Sequence, residues 1–266
     1  MELAALESLI KRGLIADLHY FAKIGSTNSY ALSQAVDDTQ KCPLLVAARE
    51  QTAGRGRGAN RWWSSDGCLM FSLLLDCTDW LPTSKWPLLS LVTGISIAQT
   101  IEQLIPGDVV GVKWPNDVYL AGRKVAGILI ETSAAASGRL VVGIGLNVNN
   151  SVATAPADIQ ARAVALVDRS SARWTLELVL ERLVERLITN WQRLGEQGFE
   201  SFYRDWPRYC ILSGAIVTIR PQAQHSEATV IGRALGIDEA GCLVVETTGG
   251  PIHLAGGSVE QFSWPS

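Results

Sequence analysis

Apolar residues recur at helical spacing in three stretches of the chain. Leu3, Leu6, Leu9 and Ile10 predict a short amphipathic helix within residues 1–15. Leu88, Val92, Ile95 and Leu104 predict a second over 87–105, and Leu176, Leu180, Leu183, Leu187 and Trp191 a third up to residue 194, with Thr175 as its cap. Short apolar runs predict strands over 19–24, 44–50, 68–76 and 140–148, and a helix over 29–36 lies between the first two. Past residue 212 the rhythm changes to short strands over 215–219, 228–235, 242–247 and 252–254, with glycine turns at 236–241 and 248–250. That pattern fits a small β-barrel, so the expected division is 1–212 and 213–266. Residues 151–172, rich in Ala and small polar types, predict little.

Two stretches carry more polar cargo than their elements need. Residues 110–113 lead into a hairpin whose strands cover 117–120 and 124–131, with Ala121-Gly122 as the turn. Lys113, Asn116, Asp117, Arg123 and Lys124 sit there among Val, Tyr, Leu and Ile. Small Ala126 and Gly127 let something approach the backbone closely. Lys113 is expected to pair with a nearby carboxylate or phosphate. Upstream, Gly54, Gly56 and Gly58 alternate with Arg55 and Arg57, so backbone N–H groups and forked guanidiniums can wrap an anion together. The glycine spacing is not that of a dinucleotide fingerprint, and no Gly-Lys-Ser/Thr follows to make a P-loop. Trp62, just after the loop, has two open roles: packing in the core, or packing on a purine and sealing a pocket.

Composition narrows the class. The 266 residues are 47% hydrophobic and 18% charged, with a net charge of −3, which is a globular chain without overall attraction to nucleic acid. Five scattered cysteines show neither a zinc spacing nor a disulfide framework and point to a reducing, cytoplasmic setting. The three isolated histidines read as ordinary surface or core residues. No basic leader precedes a long apolar run, and polar residues such as Ser90, Thr93, Gln99 and Glu102 interrupt the helix over 87–105, so no membrane association is expected.

In order, the chain reads Ser26-Thr27-Asn28, Gly54-Arg-Gly-Arg-Gly58 followed by Trp-x-Ser, Lys113-Trp-Pro-Asn-Asp117, Arg123-Lys-Val-Ala-Gly-Ile-Leu-Ile-Glu131 and Gly143-Ile-Gly-Leu-Asn147. This series resembles the biotin protein ligases from about residue 20 to the C-terminus. The resemblance implies an α+β fold, with a class II synthetase-like mixed sheet, flanking helices and a small C-terminal SH3-like β-barrel. It implies formation of biotinyl-5′-AMP from biotin and ATP, then transfer of biotin to a lysine of a biotin carboxyl carrier domain. Ser26, Thr27 and Asn28 are placed at the polar end of biotin, where groups that both donate and accept suit a ureido ring. Gln51 and the backbone near Gly56 are placed against biotin, and Arg55 and Arg57 on its carboxylate and the adenylate phosphate. Lys124, with Arg57, is the catalytic cation between carboxylate and α-phosphate. Asn116 and Asp117 organise the nucleotide side, Trp62 is a candidate adenylate contact, and Asn147 lies near the adenosine. Mg²⁺ is held chiefly by triphosphate oxygens, with Asp117 as the one candidate protein ligand. The glycine-rich loop is expected to be mobile until phosphate orders it.

Asn60 departs from the family pattern, which has a further basic residue there. Members that also repress transcription carry a winged helix-turn-helix ahead of the ligase core. The residues before Ser26 leave no room for one, so a ligase without repressor activity or a DNA partner is expected. Monomer and homodimer both stay open. Two alternatives also stay open: a lipoate or octanoate ligase of the same superfold, and a non-catalytic biotin or adenylate sensor.

Overall fold

The computed structural model describes residues 3–170, 172–221 and 229–262. Helix α1 (Leu3–Lys11) precedes β1 (Asp17–Ile24), α2 (Thr27–Gln34), β2 (Leu44–Gln51) and β3 (Cys68–Asp76). Next come α3 (Trp86–Leu104), β4 (Val110–Lys113), β5 (Asp117–Leu120), β6 (Arg123–Thr132) and β7 (Arg139–Asn147). These seven strands form one sheet in the order β1-β2-β3-β7-β6-β5-β4, parallel only between β1 and β2. The fold is the expected mixed α+β. The predicted hairpin is present too: Ala121 (φ 47°) and Gly122 (φ 80°) turn between Leu120 and Arg123.

Alternation along the strands sorts the sheet into two faces. Leu140, Val142, Ile144 and Leu146 of β7 join the main core, while Val141, Gly143, Gly145 and Asn147 take the other side. The main-core face is covered by α3 and by α5 (Leu176–Gln197), which follows the short helix α4 (Ala157–Gln160). Polar residues of α3 lock that pair of helices. Trp191 donates to Thr93 Oγ1 (3.2 Å) and Asn190 to Ser96 Oγ (2.8 Å), both inside the core. On the opposite face, Ala31 of α2 and Ala35, which caps its C-terminal end, pack on Leu44, Val46, Leu74 and Val141. The rest of that face is left to a cleft.

Helix α6 (Glu200–Tyr209) leads to a second, antiparallel sheet of β8 (Ile216–Pro221), β9 (Val230–Ile237), β10 (Leu243–Thr247), β11 (Gly250–Leu254) and β12 (Gly257–Phe262). Its order is β11-β10-β9-β8-β12, a small C-terminal β unit of the kind expected. Trp114, 2% exposed, fastens it to the first sheet by donating to the carbonyl of Gly241 (3.1 Å).

Some expectations shift. The helix expected over 29–36 starts at Thr27, because Ser26 is the N-cap and accepts from the Ser29 N–H (3.4 Å). Thr175 occupies the cap position of α5, but its side chain makes no capping hydrogen bond. Helix α6 and strand β12 were not anticipated. Met1, His225 and Ala228, which figured in the sequence reading, lie outside the described residues. All five cysteines are unpaired, and burial pushes the Cys68 and Cys77 thiols up to about 12. Among the described residues no helix is long and apolar enough to cross a membrane.

Candidate active site

Three glycines make the floor of the cleft. Gly127 and Gly145 face each other across β6 and β7, and Gly143 follows one pleat further along β7. A Cβ on Gly145 would overlap the Trp62 indole, and one on Gly143 would overlap the Asn28 amide. The indole and the amide therefore lie directly on the sheet backbone. The close approach expected at Gly127 is made by this protein's own groups: a Cβ there would lie 3.2 Å from Trp62 Cζ3 and 3.3 Å from Lys124 Nζ. Trp62 is thus cleft furniture, not interior core.

Lys124 reaches the cleft because β6 is bulged. Asp117 pairs with Gly127 and Val118 with Ala126, but Tyr119 pairs with Lys124, so Val125 is an extra residue. Without it, Lys124 would share the inward face of Ala126 and Ile128. With it, Val125 is fully buried in the core and Lys124 turns outward. Its Nζ pairs with Asp117 Oδ1 at 2.6 Å and lies 5.9 Å from the Trp62 ring centroid. The bulge also places Lys124 beyond the end of β7, and the segment 162–164 fills the gap. The Lys124 N–H donates to Arg162 O, and Val164 donates to Lys124 O, each at 2.9 Å. Residues 151–172, uninformative in sequence, therefore form the wall beside the lysine; Ile159, Ala163 and Trp63 pack together there.

The Arg-Gly loop is closed on itself. Gly56 N–H donates to Asn60 O (2.8 Å), Trp62 N–H to Gly54 O (3.1 Å), and the Asn60 amide to Arg57 O (2.9 Å). Asn60, the departure from the family pattern, thus ties the loop. Arg55 forms a two-pronged pair with Glu131, at 2.6 and 2.9 Å. Glu131 also accepts from Asn28 Nδ2 (3.0 Å). Beneath, fully buried Ser72 lies 2.6 Å from Asn28 Oδ1 and 2.8 Å from Thr27 Oγ1, so its single hydroxyl proton is shared between them. Thr27 donates its N–H (2.7 Å) and its hydroxyl (3.2 Å) to Gln51 Oε1. One polar network thus runs from Arg55 to Gln51. Glu131 and Ser72 are members that sequence reading missed; the signal was a lone serine in the apolar run of β3 and a carboxylate ending the apolar run of β6.

All site residues expected from the sequence line this one cleft of about 980 Å³. Burial lowers the affinity of the Arg57 guanidinium for its proton, and the Asp117 carboxylate works against that. Asn116 and Asn147 spend their amides on structure: Asn116 Nδ2 donates to Ile128 O (2.9 Å), and Asn147 Nδ2 to Val164 O (3.2 Å). Asn150 is 4% exposed and donates to Asn147 Oδ1 (3.0 Å). Lys113 was expected to pair with a carboxylate or phosphate; among the described residues no carboxylate forms an ion pair with it, and its Nζ donates to Val259 O at 2.9 Å. Among the described residues no three His, Cys, Asp or Glu side chains cluster as metal ligands, and Asp117 is already engaged by Lys124. These residues fit a divalent ion that arrives on a triphosphate, not one held by a protein cage.

The sequence signature of the Biotin/lipoate A/B protein ligase family matches residues 20–149. A "Biotin--[acetyl-CoA-carboxylase] ligase" of Mycobacterium tuberculosis is 30% identical over 249 residues, covering 91% of this chain and 88% of that protein. A "Bifunctional ligase/repressor BirA" of Bacillus spizizenii is 30% identical over 261 residues, covering 96% and 78%. In three dimensions, the biotin protein ligase of Aquifex aeolicus solved with biotin and ATP aligns with a TM-score of 0.77 and 28% identity, over 93% of this chain and 97% of that one. With the lysine, the arginine loop and the glycine floor gathered in one cleft of the shared fold, the chain belongs to the biotin/lipoate A/B protein ligase family and is a ligase.

Proposed function

We propose that this chain is an ATP-dependent biotin protein ligase that forms biotinyl-5′-AMP and transfers biotin to one lysine of a biotin carboxyl carrier domain. The observation that carries the reading is Lys124, turned by a bulge into a cleft between a double-arginine loop and the Thr27–Asn28–Gln51 network. Biotin is read with its ureido ring at that network and its carboxylate toward Arg57 and Lys124. The carboxylate oxygen attacks the α-phosphorus of ATP, the bond to the bridging oxygen breaks, and pyrophosphate leaves with the electron pair. Two anions must meet for this, and Lys124 offsets their repulsion; Asp117 holds its ammonium in place. Mg²⁺ carried by the triphosphate adds further charge neutralisation. The adenine is assigned to the wall of Trp62, Trp63 and Ile159, and the closed loop shields the mixed anhydride from water. The carrier lysine amine then attacks the acyl carbon. A C–N bond forms, the C–O bond to AMP breaks, and the amine's proton passes to solvent.

Residues 1–212 are read as the catalytic domain and 213–266 as the C-terminal barrel domain. The net charge of −3 supports a ligase without repressor activity, and the five unpaired cysteines suit a cytoplasmic enzyme. Incubation with biotin, ATP and a biotin carboxyl carrier domain, read by intact-mass spectrometry, tests the assignment. The expected product is carrier bearing one biotinyl group on one lysine. Unmodified carrier with biotin, but acylated acceptor with lipoate or octanoate, would move the chain to the sister activity.

A further inference from the structure

Helix α2 carries Thr27 and Asn28 on its first turn, so its position along the sheet decides where those two groups stand in the cleft. Its apolar contact with the sheet is made by Ala31 and the capping Ala35, small residues that allow close approach and form no bulky stop. Three cross-strand rungs of β3 and β7 lie beneath it. Ser72 pairs with Gly143 under the Asn28 amide, Leu74 with Val141 in the alanine cluster, and Asp76 with Arg139 at the far end. From Arg139 to Gly143 the strand advances four residues, about 13 Å, and the eight residues of α2 rise about 12 Å. One face of β7 therefore matches the helix from end to end. At the far rung the Arg139 guanidinium grips the chain leaving α2. Nη1 donates to Asp37 O (2.7 Å) and Ala35 O (3.4 Å), and Nη2 to Asp38 O (3.5 Å). Nε donates to the Asp76 carboxylate (3.2 Å), which aims the fork, and the side chain is only 11% exposed. The last turn of α2 has no basic residue of its own, so β7 supplies the cation that a helix C-terminus favours.

We propose that Arg139 is a positioning residue for biotin: it sets the place of α2 along β7 and so holds Thr27 and Asn28 at the ureido ring. The proposal rests on the ligase reading above and deepens it. The cleft end of the helix is fixed by groups that also have to read the ligand. Thr27 donates its N–H to Gln51, and the Asn28 amide is held by Leu129 O, Glu131 and Ser72. A helix fixed only there would shift whenever one of those bonds gave way to a bond with biotin. Arg139 anchors the opposite end, about 12 Å away, on main-chain carbonyls outside the cleft. A slide of about 0.5–1 Å is enough to carry a good hydrogen bond beyond its useful length. Loss of the fork therefore weakens the grip on the ureido ring. None of these contacts involves Lys124, Arg57 or the purine wall, so the effect is confined to biotin.

The test compares biotin with ATP in the full chain. Arg139→Gln removes the charge and the fork. It should raise the biotin Kd, read by calorimetry, about tenfold, the scale of one lost charge-assisted hydrogen bond, and raise the KM for biotin in pyrophosphate exchange alongside. The KM for Mg·ATP, and kcat at saturating biotin, should stay within about twofold of the parent. Arg139→Lys keeps a cation and a donor for Asp37 O and should recover most of the biotin affinity. Hydrogen exchange follows the helix itself: in Arg139→Gln without biotin the amides of residues 30–35 should exchange faster than in the parent, those of 69–75 should not, and saturating biotin should restore the helix. Asp76→Asn, which loosens the aim of the fork and leaves Arg139 in place, should raise the biotin Kd by about threefold. An unchanged biotin Kd in both Arg139→Gln and Asp76→Asn overturns the proposal. So does a biotin Kd that rises together with the KM for Mg·ATP, which would make Arg139 a support of the whole fold. No biotin binding by the unsubstituted chain would overturn the ligase reading itself.

Discussion

The glycine floor gives a graded perturbation, because the three positions would meet different neighbours. At Gly145 an added methyl overlaps the rigid indole of Trp62, so the ring must retreat to ordinary contact at about 3.5–4.0 Å. Overpacking of this kind costs about 1–3 kcal/mol, which corresponds to about 5–150-fold in kcat/KM if the whole cost falls on adenylate formation. At Gly143 the methyl overlaps Asn28, whose amide is held by Leu129 O (3.1 Å), Glu131 (3.0 Å) and Ser72 (2.6 Å). Losing one of these buried bonds costs about 1–3 kcal/mol, and the loss should appear as biotin affinity. At Gly127 the methyl meets Trp62 Cζ3 at 3.2 Å and the end of the Lys124 side chain at 3.3 Å, and that lysine can give way. Gly127→Ala should therefore stay within about fivefold of the parent. Calorimetric biotin binding and pyrophosphate exchange separate the effects: Gly143→Ala raises the biotin Kd, Gly145→Ala raises the KM for ATP, and Gly127→Ala does little. Parent-like kinetics for Gly145→Ala, or Gly127→Ala as the most damaged of the three, would refute this account of the floor.

Lys124→Ala should slow adenylate formation about 100-fold or more with the thermal transition intact, as for loss of a preorganised charge donor; an active variant removes the assignment. Arg57→Gly should speed escape of the adenylate and let it biotinylate bystander lysines, so an unchanged adenylate off-rate contradicts that role. Glu131→Gln frees Arg55 and loosens Asn28; a partly exposed pair contributes up to about 1 kcal/mol to stability, so the larger change should be in biotin affinity. Cys68 and Cys77, whose thiols burial pushes up to about 12, should resist alkylation at pH 8 in the folded chain; rapid labelling would contradict their burial.

Much of this architecture could be read from the chain, for physical reasons that differ by element. The hairpin was legible because Ala121-Gly122 lies between apolar strands, and α3 and α5 because their stripes are long. Strand β12 was not, since Gly257 to Phe262 alternates with only Val259 facing deep into the core. The residues of the cleft could be named, but not their facing. Simple alternation puts Lys124 on the core side, and only the register against β5 reveals that Val125 is extra. Ser72 and Glu131 left only that faint local signal, a polar residue in or at the end of an apolar run, because their role lies in contacts 44 and 76 residues away along the chain. Lys113 was read as an ion-pair lysine because no local pattern announces that Asp117 is already taken by Lys124.

The most direct test of the central claim is biotin-dependent exchange of radiolabelled pyrophosphate into ATP, without carrier, with lipoate and octanoate as controls. The account predicts exchange with biotin alone. Exchange with lipoate or octanoate but not biotin, or tight biotin binding with no exchange at all, would contradict it.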